Sequence, residues 1–226
     1  MLRPFETRND GKLFFFMFLI NDLIKNKYLK SPEIIDAFKK IKRHDFVRPE
    51  DAGQTEIDAP LSIGRGQTIS QPATVAFILE KLQPKRGEKI LDVGSGSGWT
   101  AALLADIIGS EGKVYGLERI KELADFATGN LNKYNLIKNG SVQIFCTDGY
   151  KGLPEFAPFD KILISAAAEL VPDELLKQLK IGGRMVLPIG RQHESQAIEV
   201  IEKIRENRYN RKSFPGFIFV PLVKDN

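Results

Sequence analysis

One cysteine, two histidines and one tryptophan among 226 residues narrow the chemistry before any motif is read. Cys146 has no partner for an internal disulfide and cannot build a metal cluster, which suits a reducing cytoplasm. Within the apolar "QIFC" it reads as a small buried hydrophobe. His44 in "KRHDF" and His193 in "RQHES" stand beside neither a nucleophile nor a second metal ligand, so both are given surface or structural roles and no metal site is expected. Long apolar runs are missing too. "LFFFMFLI" (Leu13 to Ile20) is far shorter than the roughly 20 residues that cross a bilayer, and polar Asn21 and Asp22 follow where a signal peptide needs small residues. It reads as a buried helix face, with a partner or membrane-surface contact as the rival. Charge of one sign is scarce: 33 basic against 29 acidic residues leave +4, which permits nucleic acid without indicating it.

What is present is enough apolar material, 42%, for a sizeable core. One domain over 1–226 is expected, with N-terminal helices in 1–45, a substrate-side loop and helix in 46–83, a cofactor-binding core in 84–190 and C-terminal strands in 191–226. The first two helices are separated by "KSPE", where Ser31 can cap and Pro32 can open the second. From Phe46 to Ile69 the text is rich in Pro, Gly and polar residues with little periodicity, and reads as an ordered loop lying on the main domain. "QPATVAFILEKL" is a helix, and "PKRG" a turn into the first strand.

Beyond that turn, short apolar strands alternate with helical segments. "KVYGLE" (Lys113 to Glu118), "VQIFCTD" (Val142 to Asp148), "FDKILISAA" (Phe159 to Ala167) and "GGRMVLPIG" (Gly182 to Gly190) are strands, with helices near Lys121 to Tyr134 and Pro172 to Leu179. The alternation argues for an α/β fold with a mostly parallel sheet and helices on both faces. "QAIEVIEKI" (Gln196 to Ile204) and "GFIFVPLV" (Gly216 to Val223) have no helix between them and suggest an antiparallel edge.

The chemistry concentrates at strand ends, where an open parallel sheet holds its ligand. "ILDVGSGSGWTAALLA" is the strand, glycine turn and helix that start a Rossmann-like unit. Gly94 and Gly96 fit the dinucleotide fingerprint, but its third glycine position holds Trp99 and Gly98 falls one place early. A ligand without a diphosphate is therefore favoured. Asp92, Gly94, Ser95 and Gly96 follow the first strand. Glu118 ends the second, about twenty residues on, where an acidic side chain accepts hydrogen bonds from a ribose. Thr147, Asp148 and Gly149 follow the third. In that order they suggest pockets for an amino acid moiety, a ribose and an adenine, and hence S-adenosylmethionine in place of NAD.

"GQTISQP" (Gly66 to Pro72), "LDVGSGSGW", "GLE" (Gly116 to Glu118), "DGYKGLPEFAPFDKILISAAA" (Asp148 to Ala168), "LKIGGRMVLPIG" (Leu179 to Gly190) and "FVPL" (Phe219 to Leu222) together resemble the protein-L-isoaspartate O-methyltransferase family. The resemblance implies a seven-stranded class I methyltransferase fold and methyl transfer from S-adenosylmethionine to the α-carboxylate of isoaspartyl residues in damaged proteins or peptides. It carries the active-site serine onto Ser70, with Thr68 beside it, and puts Gln67 and Ile69 of the same loop against the cofactor. A carboxylate nucleophile, with a free pKa of about 4, is ionised at neutral pH and needs no general base. The plainer role for Ser70 is to cap the helix opened by Pro72. Ala73 and Thr74 after "ISQ-P", and "TEID" before "PLSIG", depart from the residues usual in the family near the substrate's entry. Isoaspartyl peptides and proteins are the expected partners, with no nucleic acid, no membrane and a monomer.

Other readings remain, among them a methyltransferase of the same fold acting on another carboxylate or on RNA. A base-directed amino-methyltransferase would carry a polar residue, Pro-Pro and an aromatic where this chain has "ISAAAELVP". The basic "KIRENRYNRKSF" (Lys203 to Phe214) is either a solvated hairpin or an RNA-binding strip. A cofactor-binding module without turnover is the non-enzymatic alternative.

Overall fold

The computed structural model describes residues 10–192 and 194–224, with side chains from Phe18 onward. His193 and most of the Leu13 to Ile20 side chains lie outside the described part. Within that run Ile20 is buried, while Phe18 is 52% exposed, so the apolar stripe is not wholly interior. No helix of the described residues is long and apolar enough to cross a membrane.

Helix α1 (Asp10–Lys25) and helix α2 (Pro32–Lys40) fall where the sequence reading puts them. Ser31 stands at the N-cap of α2, yet its side chain makes no capping bond. Its hydroxyl instead donates to Glu80 Oε2 at 2.8 Å, while the backbone N–H groups of Lys30 and Ser31 both donate to Glu80 Oε1 at 2.7 Å. One carboxylate on a later helix thus fastens the α1–α2 connection. Glu80→Ala leaves three donors to water or to nothing. It is expected to cost about 1–3 kcal/mol, read as a lower urea midpoint and faster proteolysis near residue 31.

The Phe46 to Ile69 segment is more structured than a loop. Short 3-10 turns at Arg43–Phe46 and Pro49–Gln54 lead into an antiparallel hairpin, β1 (Leu61–Gly64) and β2 (Gln67–Ile69). Arg65 and Gly66 at its tip both have positive φ, 55° and 70°, the left-handed pair that a two-residue hairpin turn requires. Helix α3 (Pro72–Leu82) follows.

The main sheet has seven strands in the order β5-β4-β3-β6-β7-β8-β9. They are β3 (Lys89–Val93), β4 (Lys113–Glu118), β5 (Val142–Cys146), β6 (Phe159–Ile164), β7 (Leu179–Ile189), β8 (Gln196–Arg205) and β9 (Arg208–Phe217). The first five run parallel, and the pairs β7–β8 and β8–β9 are antiparallel, so β8 alone runs against the rest. Helices α4 (Trp99–Ile108), α5 (Lys121–Asn132) and α6 (Asp173–Gln178) are its crossovers. Successive side chains on a strand point to opposite faces, and the core divides accordingly. Ile90, Val114, Leu163 and Val186 pack with residues of α1 to α5, whereas Leu91, Leu117, Ile162 and Leu187 pack with α6 and Phe159. Both faces are covered, but unequally.

Two expectations change at the periphery. The strand placed at Gly216 to Val223 lies instead at β9, which overlaps most of the basic stretch read as a solvated hairpin and forms that hairpin with β8. An outermost strand keeps one face in water, so charged residues suit it and apolarity does not mark it. Cys146 is exposed. It ends β5, the other edge of the sheet, where apolar neighbours in sequence do not ensure burial.

Candidate active site

The crossover direction reverses at β3, whose neighbours β4 and β6 lie on opposite sides, and open parallel sheets place ligands at such a point. The turn after β3 is tightly built. Backbone N–H groups of Gly94 and Ser95 donate to Leu117 O at 2.8 and 3.0 Å, and Ser95 Oγ donates to Asp92 O at 3.1 Å. Gly98, the glycine one place early, is the N-cap of α4 with φ 86°; a Cβ there would lie 3.2–3.3 Å from Leu131 and Ala127 of α5. Its position is set by helix packing, while Trp99 begins the helix behind it.

Glu118 is 7% exposed and accepts from Gly96 N at 3.0 Å and from Ile120 N at 2.9 Å. The carboxylate therefore ties the end of β4 to the glycine turn. Asp92 is fully buried beneath that turn, and neither carboxylate oxygen has a hydrogen-bond partner among the described residues. Burial pushes its carboxyl up to about 7; the neighbouring Ser95 hydroxyl opposes the rise and the charge of Glu118 adds to it. An unpartnered carboxyl under a glycine turn fits a site for a cationic ligand.

Two adjoining clefts open here. One is lined by Gly94, Ser95, Gly96 and Glu118 on the sheet side and by Gln67, Thr68, Ile69 and Ser70 from the hairpin. The other shares Gln67, Gly94 and Glu118 and adds Gly149. The sequence-predicted residues thus come together, with three exceptions: Thr147 lines neither cleft, nor do Asp92 and Asp148. Asp92 lies below the floor. Asp148 is 2% exposed and its side chain accepts from Tyr150 N at 2.9 Å, so Gly149, not Asp148, presents itself to the cleft.

Ser70 is not the cap of α3. That position falls to Gln71, and the orphan donor Ala73 N is satisfied by Asp58 Oδ1 at 2.8 Å, with Gln71 Nε2 donating to Asp58 Oδ2 at 3.0 Å. "TEID" thus supplies the cap from outside the helix, and Ser70 is half-buried in the cleft wall.

The comparisons with known proteins agree with this geometry. The model of the Protein-L-isoaspartate(D-aspartate) O-methyltransferase (PCMT) family matches residues 17–226. The chain belongs to this family. A protein-L-isoaspartate O-methyltransferase of Methanopyrus kandleri is 43% identical over 91% of this chain and 89% of its own length, and one of Ignicoccus hospitalis is 44% identical over 92% and 96%. A Plasmodium falciparum crystal structure assigned to the same enzymes, in complex with S-adenosyl-L-homocysteine, gives a TM-score of 0.83 at 26% identity, covering 92% of this chain and 97% of that one. The α/β, Rossmann-like class I methyltransferase fold expected from the resemblance is therefore the observed one.

Several lining residues of this family member escaped the sequence reading. Ile63, Trp99, Thr100, Ser165 and Val220 line the first cleft, and Pro221, Leu222 and Val223 the second. Ser165 and Ala166 follow β6, so the strand-end rule that found Glu118 also points to them. The tail is different: it reaches the cleft through Ala167 N to Val220 O at 2.8 Å and Leu222 N to Ala167 O at 2.7 Å, a long-range contact that no local pattern announces.

Proposed function

We propose that this chain transfers a methyl group from S-adenosylmethionine to the α-carboxylate of L-isoaspartyl residues in damaged proteins or peptides, as a repair enzyme of the cytoplasm. Membership of the family, over residues 17–226, is the observation that carries the reading. The bound sulfonium supplies an electrophilic methyl group. The chain's own work is placement. Gly94, Ser95 and Gly96 let a ligand lie against the backbone of the turn, the remaining lone pairs of Glu118 accept from ribose hydroxyls, and Gly149 borders the base. Asp92 acts from below by its charge, and Asp148 by holding the turn that carries Gly149. Gln67 and Ile69 close the cleft from the hairpin, and the hydroxyls of Thr68 and Ser70 donate to the substrate carboxylate. That carboxylate is already ionised, so holding it in line and keeping water out are what remain to be done.

Incubation with radiolabelled S-adenosylmethionine, an isoaspartyl peptide and its aspartyl twin tests the reading. Base-labile label on the isoaspartyl peptide alone is expected, whereas label on RNA alone, or cofactor uptake without turnover, overturns it. Ser70→Ala removes one donor to a charged acceptor and is expected to lower kcat/KM about 10- to 100-fold, with cofactor affinity unchanged.

A further inference from the structure

We propose that Arg43 is a positioning residue for the transfer reaction, a clamp at the base of the β1–β2 hairpin that sets the Thr68 and Ser70 hydroxyls against the donor side of the cleft. This rests on the function proposed above. Arg43 lies in the 3-10 turn after α2 and is 1% exposed. Both terminal nitrogens of its guanidinium are spent on backbone carbonyls: Nη1 donates to Thr55 O and Ile57 O, both at 3.2 Å, and Nη2 donates to Ala59 O at 2.7 Å and Ser70 O at 3.2 Å, while Nε is buried without a partner among the described residues.

The positions of those carbonyls matter more than their number. Ala59 and Ser70 flank the hairpin (61–69) on either side, so one nitrogen ties both of its ends together. The same guanidinium stands 5.6 Å from the ring centroid of Trp99, which opens α4 and lines the cleft. One side chain therefore touches both the substrate-side hairpin and the wall that continues from the glycine turn. Burial lowers its pKa to about 10, countered by Asp58 and then Glu56, so the charge persists at neutral pH. Lysine keeps the charge but not the planar fork. Its ammonium has three donors on a flexible stem and cannot reproduce four contacts in this geometry.

Arg43→Lys is therefore expected to lower kcat/KM for an isoaspartyl peptide by about 30-fold or more, since small misplacements near a reacting centre are costly in rate. The loss should divide between a raised peptide KM and a lowered kcat, while the dissociation constant for S-adenosylhomocysteine rises several-fold less, because the glycine turn and Glu118 keep their own hydrogen bonds and only Gln67 and Ile69 ride on the hairpin. Hydrogen exchange should quicken at residues 55–70 and remain slow in β3 and β4. Emission from Trp99, the chain's single tryptophan, reports whether the cation has left the ring face. Wild-type KM and kcat in Arg43→Lys, or a loss matching only a smaller folded fraction, makes Arg43 a core strut and ends the proposal. Should that variant fail to fold, Asp58→Asn loosens the same hinge at an exposed carboxylate; a peptide KM raised about threefold supports the clamp, and an unchanged one overturns it. Failure of the wild-type chain to methylate isoaspartyl peptides would remove the proposed function instead, and the exchange comparison would still decide the clamp.

Discussion

Replacing Glu118 with alanine is expected to weaken S-adenosylhomocysteine binding about 100-fold in calorimetry. Hydrogen bonds to a charged group are worth roughly 1.5–3 kcal/mol each, and 1.4 kcal/mol is about a factor of ten in affinity. The variant loses any bond to a ribose hydroxyl and also the anchor for Gly96 N and Ile120 N, so the turn that should meet the ligand relaxes as well. Glu118→Gln keeps one acceptor but turns an amide N–H toward a backbone donor, and should fall between, about tenfold down. Affinity within twofold of wild type for the alanine variant would make Glu118 a strut of the turn and remove it from the ligand site.

The second large effect concerns pH. The Asp92 carboxyl titrates near 7 in the fold against an ordinary 3.8, because burial penalises its charge. Between those values the folded chain holds a proton that the unfolded chain has released. The number of protons bound in the unfolded state is then the smaller, so unfolding free energy falls as pH rises. The stability this group contributes is whole below about pH 4 and lost as pH climbs through 7. The full swing is on the order of 2–4 kcal/mol. Asp92→Asn, which cannot ionise, should match the ligand-free wild type near pH 4 and exceed it by the full swing, about 2–4 kcal/mol, at pH 8. Urea midpoints across that range decide the matter, and parallel curves for the two proteins would show that Asp92 does not carry the charge penalty.

The central layer of the fold was legible because its signals are local. β4 coincides with the expected Lys113 to Glu118, and β3, its glycine turn and α4 announce themselves by an apolar run, alternate glycines and an alanine-leucine helix. The strand-end rule gathered Gly94, Gly96, Glu118 and Gly149 around the two adjoining clefts without any contact map. What stayed hidden depends on distant partners. Ser31 and Ser70 both look like helix caps, yet the Ser31 hydroxyl is taken by Glu80 and the orphan donor of α3 by Asp58, and nothing near either serine reveals them. Strands of four and three residues give too little alternation to read, although a two-residue connection containing glycine between "LSIG" and "QTI" was a usable hint of the hairpin. Arg43 sits in "KRHDF", which looks like surface charge, and its burial follows only from the carbonyls folded around it.

Glu118 stands in the wall common to both clefts while holding the backbone of the turn between them. On the proposed placement this limits how the protein can be re-tooled for unnatural methyl donors. Enlarging the pocket at that carboxylate would unmake the turn along with the selectivity. Space for a bulkier nucleoside is better carved from Ile120 or Leu222, which line only the second cleft and leave the anchor standing.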